Sequence, residues 1–124
     1  MRRSMTSRTP AGAIRGFIAE IIRHSLEDER RGCFLVNSAL EIAPHDPEIG
    51  ALIAERLGEL EAFFRRCVTA GQRDGSIPLD RDAGDLARLL LCVVLGIRVL
   101  ARSRPDRTLL EGVARPALAL IDGQ

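Results

Sequence analysis

The stretch DRDAGDLARLLLCVVLGIRVLAR, Asp80 to Arg102, decides how this chain is built, because its middle is too apolar for an ordinary one-faced helix. At helical spacing Leu86, Leu90, Val93, Ile97 and Leu100 make one stripe, while Leu91, Cys92, Leu95 and Val99 put apolar surface on another side. One face is expected to enter the chain's own core and the other to meet a second copy. The alternative is a helix wrapped on all sides by its own small domain. Few other segments are available to do that wrapping, so self-association is the expectation. A membrane span fits poorly. The uncharged part runs only from Leu89 to Ile97, between Arg88 and Arg98, whereas a bilayer crossing needs roughly 20 apolar residues.

At 124 residues the chain is read as one domain, large enough for a sizeable core and small enough to gain from a partner subunit. Hydrophobic residues make up 46% of it, with four Phe and neither Tyr nor Trp, so the core is expected to be aliphatic. Eighteen basic residues stand against 17 acidic ones, without the basic excess of a nucleic-acid binder. Every basic residue is Arg, which reads as a bias of genome base composition and not as a binding signal. Cys33, Cys67 and Cys92 are widely spaced, odd in number and form no CxxC. Each sits among apolar residues on a predicted helix, as buried free thiols do. No cofactor is expected, and a reducing, cytoplasmic setting is the simplest. The first residues lack the long apolar core and cleavage site of a signal peptide.

Outward from the central stretch the chain reads as helix after helix. Residues 1–8 are expected to form a disordered tail, with one domain over 9–124. Thr9 and Pro10 signal the first helix, whose stripe is Ile14, Phe17, Ile18, Ile21 and Ile22. It is expected to end near Ser25. A second helix is predicted from Cys33 to Ala43, stopped by Pro44. Asp46, Pro47 and Glu48 then give the sharpest start signal, for a long helix with Ile49, Ile53, Leu57, Leu60, Phe64 and Cys67 on one face and a stop at Gly71 to Gly75. Asp80 or Asp82 caps the central helix, and Asp106 the last one. Pro116 lies inside that last helix and predicts a kink or an early end. No segment alternates like a strand, so the fold class is all-α: a five-helix orthogonal or up-down bundle.

Candidates for catalysis are thin. His24 and His45 each follow a glutamate by four residues, Glu20 and Glu41, whereas a carboxylate-bridged metal site in a bundle uses Glu-x-x-His on two helices. Surface or capping roles are expected for both, and no enzyme activity. Asn37 and Glu41 lie one turn apart on a mostly apolar helix, beside Cys33 and Phe34. Turned inward, they would orient a small molecule in an aliphatic wall; turned outward, they simply face solvent. Leu60, Phe63, Phe64 and Cys67, with Leu89 and Val93, would supply the opposing wall, for which core packing is the alternative.

Three landmarks carry a family resemblance: GCFLVNSALE at Gly32 to Glu41 with APHDPEI following, AFFRRCVTAGQRDGSIP at Ala62 to Pro78, and DLARLLLCVVLGIRVLARSRPDR at Asp85 to Arg107. Together they resemble the C-terminal regulatory domain of TetR/AcrR-type transcriptional regulators, over roughly Pro10 to Ile121. The resemblance implies a homodimer formed through the last two helices. The residues expected in that interface are Arg88, Leu91, Cys92, Leu95, Gly96, Val99, Arg102, Leu110, Val113, Ala117, Leu118 and Ile121. It also implies a pocket among the earlier helices for a small apolar or amphipathic effector, which biases two DNA-reading heads of a repressor. The family's N-terminal helix-turn-helix is missing from this sequence, so DNA is expected as a partner only if the full-length product carries that head. A stand-alone homodimeric interaction module without a small-molecule ligand is the alternative.

Overall fold

Thr9 opens the first helix as its sequence suggests: its Oγ1 accepts from the backbone N–H of Gly12 at 2.9 Å, and Pro10 occupies the first turn, where a missing donor costs nothing. The structure, a computed structural model, describes residues 9–27 and 41–122. Those residues form α1 (Pro10–Glu27), a 3-10 turn (Ala43–His45), α2 (Pro47–Arg73), α3 (Ala83–Ser103) and α4 (Arg107–Ala119). They contain no strand, so the all-α class holds. Four α-helices are described; the helix expected from Cys33 lies outside the described residues except at its end, where the 3-10 turn takes Ala43 to His45.

Each later helix starts on an aspartate whose side chain accepts orphan N–H groups. Asp46 accepts from Glu48 and Ile49 at 3.0 and 3.3 Å, Asp82 from Asp85 at 2.9 Å, and Asp106 from Thr108 at 3.0 Å. Of the two cap candidates for α3, Asp82 therefore takes the role, and Asp80 pairs with Arg81 instead. The long helix stops where expected, within the Gly71 to Gly75 turn. Gly71 is a buried residue inside α2, which ends at Arg73, and the chain reverses at Gly75 with φ of +85°.

Helix α3 packs against α1, α2 and α4. Its inward face is Leu86, Ala87, Leu90, Val93, Val94, Ile97 and Ala101, all buried. Around it the core collects Ile14, Ile18, Ile21 and Ile22 from α1, Phe64 and Val68 from α2, Ile77 from the connector, and Leu110, Ala114 and Ala117 from α4, with Ile121 beyond it. Burying each large aliphatic side chain contributes about 1.5–3 kcal/mol. The inward stripe runs through Val94 and Ala101, leaving Leu100 half-buried. Pro116 stays exposed, and α4 closes three residues later in tightened i to i−3 bonds, from Leu120 to Ala117 and from Ile121 to Leu118, both 3.1 Å.

Candidate functional site

Among the described residues, the aromatic side chains meet at one place. Phe17 on α1 and Phe63 and Phe64 on α2 form a closed trio, with ring centroids 5.4 to 5.7 Å apart. Phe17 meets Phe64 edge-on at 82°, the arrangement that sets a ring's positive rim against a neighbour's negative face. Phe64 is fully buried, while Phe17, Phe63, Leu60 and Cys67 are half-buried against the same core, and Val93 is buried in it. Burial pushes the Cys67 thiol above its ordinary pKa, with Arg66 pulling weakly the other way. Cys67 is therefore apolar lining, the opposite of an activated thiolate.

Phe64 and Val93 belong to the hydrophobic core, and Leu60, Phe63 and Cys67 pack against that core. Leu89 does not join it, being 39% exposed on the outer side of α3. Cys33, Phe34 and Asn37 lie outside the described residues, and Glu41 is exposed. Phe17 was legible only as a stripe residue of the first helix; its ring contact with the Phe63–Phe64 pair is a tertiary fact that no local pattern announces.

The outer face of α3 carries the rest of the expected surface. Cys92 and Val99 are exposed, Leu91, Leu95 and Gly96 half-buried, and Arg88 and Arg102 exposed at either end. A Cβ built on Gly96 meets nothing within 4 Å, so that position is open on the protomer's side. Arg88 is held by Asp85 at 2.7 Å and reaches Glu61 on α2 at 3.7 Å. On the last helix the placement differs from the expectation. Leu110, Ala117 and Ile121 are consumed by the protomer's own core, because the 3.6-residue period that aligns them also turns them onto α3 and α1. Buried in this way, they have no surface to offer a partner. Val113 and Leu118 keep partial exposure, and Leu118 lines a cleft between α1 and α4.

No described helix is long and apolar enough to cross a membrane, and no group of three or more His, Cys, Asp or Glu among the described residues could hold a metal ion. A helical bundle with an aromatic cluster between its first two helices and an apolar face on α3 defines a class: a helical regulatory or interaction domain. The chain belongs to the tetracyclin repressor-like C-terminal domain family, whose model matches residues 10–117. It is similar to an uncharacterized HTH-type transcriptional regulator, YezE, of Bacillus subtilis (strain 168), with 30% identity over 112 residues, covering 89% of this chain and 58% of the relative. It is also similar to the HTH-type transcriptional repressor ComR of Escherichia coli (strain K12), with 27% identity over 94 residues, covering 76% of this chain and 45% of the relative. The chain thus spans about half the length of these relatives. No solved structure matches it significantly. The family is that of a repressor-like C-terminal domain, and both relatives are named as HTH-type transcriptional regulators.

Proposed function

We propose that this chain is the effector-sensing and dimerisation part of a repressor-type, cytoplasmic regulator, acting on DNA through a helix-turn-helix head of the kind named in its relatives. The observation that carries the reading is the double-faced α3. Its inward stripe is already satisfied, yet Leu89, Cys92 and Val99 remain exposed along the same helix. A second copy laid across Leu91, Cys92, Leu95, Gly96 and Val99, with Arg88 and Arg102 at the rim and Val113 beside them, would remove that surface from water.

The effector would sit against Leu60, Phe63, Cys67 and Phe17, with the segment from Cys33 to Glu41 as the facing wall and Asn37 and Glu41 as its orienting groups. An apolar or amphipathic compound suits such a lining. It acts by binding one packing of the bundle better than another, since only differential affinity shifts an equilibrium.

A thermal-shift screen on the chain tests the sensing half. An apolar compound that raises the melting temperature of the native chain, and loses that effect in Phe63→Ala, supports it. If no compound does so while Leu95→Asp still abolishes pairing, the chain is an interaction module without an effector.

A further inference from the structure

The cleft between α1 and α4 has an apolar floor and a charged mouth. Ile18, Ile22 and Ala114 are buried at its base, and Leu118 makes the side wall. The cleft encloses about 390 Å³, within the span of roughly 300–1,000 Å³ typical of small-molecule sites. Ala19, exposed and small, keeps one wall open.

Five charged side chains ring the opening. Arg15 is bonded to Asp122 and also donates to the Leu118 carbonyl at 3.4 Å, so one end is closed by a tie between the first described helix and the chain just beyond the last. Arg107 rests on Glu111 at 3.1 Å. Arg115 has no carboxylate partner among the described residues. Three guanidiniums therefore face two carboxylates, leaving a surplus positive charge above an apolar floor.

We infer that this cleft binds a small amphiphilic carboxylate. Its head group lies on Arg115, with Arg107 in reach of the same mouth, and its apolar body lies along Leu118 and Ala19 above the buried Ile18 and Ile22. A guanidinium matches a carboxylate with two parallel N–H to O bonds, which gives the head group a preferred pose. A cation would meet three arginines, and a neutral apolar compound would leave Arg115 unmatched while covering the floor. None of these residues belongs to the aromatic wall around Phe63, so the two sites stand or fall separately.

The test uses the full chain with octanoate, octanol and acetate, read by thermal shift and titration calorimetry, beside the variants Arg115→Gln and Ala19→Phe. Both positions are exposed, so each variant is expected to melt close to the native chain without ligand. Octanoate raises the melting temperature in proportion to its occupancy, whereas octanol at equal concentration and acetate do not. Arg115→Gln weakens octanoate by about tenfold or more, the scale of a lost hydrogen bond to a charged group, and Ala19→Phe abolishes binding by filling the cleft. Three results overturn the inference: octanoate without effect, octanol binding as tightly as octanoate, or octanoate binding that survives both substitutions. Survival in both variants with loss in Phe63→Ala would place the ligand at the aromatic wall.

Discussion

Ile77 stands where a side chain on Gly71 would be: a Cβ at Gly71 would lie 2.4 Å from Ile77 Cδ1 and 2.6 Å from its Cγ1. The connector between α2 and α3 thus folds back over the end of α2. The N–H groups of Ser76 and Ile77 donate to the Gly71 carbonyl at 2.9 and 3.0 Å, and the Gln72 amide donates to the carbonyls of Pro78 and Arg81 at 3.0 and 2.7 Å. Gly71→Ala is expected to cost about 1–3 kcal/mol by overpacking, measured by urea denaturation. Gly58 is the control, because nothing lies within 4 Å of a Cβ there; Gly58→Ala is expected to stabilise by up to about 1 kcal/mol through helix propensity.

Asp46 begins the longest helix, with its carboxylate on the N–H groups of Glu48 and Ile49. Asp46→Ala removes that cap while leaving Pro47 in place. A loss of about 1 kcal/mol is expected, visible as a lower denaturation midpoint with an unchanged slope.

Asp74 gives a pH signature. The neighbouring Ser76 side chain, and then the Ser76 backbone N–H that donates to Asp74 Oδ1 at 2.9 Å, hold its pKa below the ordinary aspartate value. A carboxyl with a depressed folded pKa stabilises the fold above its unfolded pKa and loses that contribution as pH falls through the folded one. Native chain and Asp74→Ala are therefore expected to differ in melting temperature at neutral pH and to converge in acid below the ordinary aspartate range. A difference that persists unchanged in acid would assign the effect to something other than the ionised carboxylate.

The thiols are expected to separate by environment. In a Cys33→Ser chain at low concentration, a thiol reagent at neutral pH labels exposed Cys92 well before half-buried Cys67. Raising the protein concentration slows Cys92 selectively if pairing covers it, and leaves Cys67 as it was.

Much of this architecture could be read from local signals. Thr9, Asp46, Asp82 and Asp106 each announce a helix because an N-cap is a short-range interaction between a side chain and the next turn. The inward stripe of α3 was visible as a period. Its drift onto Val94 and Ala101 was not, because the depth of a residue depends on which neighbours lie over it. The same holds for Leu110, Ala117 and Ile121: their spacing marks an apolar face, but whether that face meets its own domain or a partner is decided by tertiary packing. The stop of α2 within Gly71 to Gly75 was legible, but the second role of Gly71 was not. A glycine there reads as part of the turn, and the structure also uses its missing side chain to admit Ile77 of the connector against the last turn of α2. The aromatic trio needed Phe17 brought beside Phe63 from a distant part of the sequence, and the α1–α4 cleft needed both ends of the domain at once.

Gly96 offers the sharpest separation of fold from pairing. Its surroundings are open in the protomer, so Gly96→Leu is expected to leave the melting transition of a single chain intact while its side chain stands in the path of a partner helix. Leu90→Asp, in contrast, buries a charge in the core and is expected to unfold the chain.

Static light scattering on the purified native chain at high micromolar concentration tests the pairing of α3 most directly. Twice the 13.6 kDa of one chain is the expected mass, falling to 13.6 kDa in Leu95→Asp with the helical signal retained. A native chain that scatters as a single 13.6 kDa particle at that concentration would contradict the account.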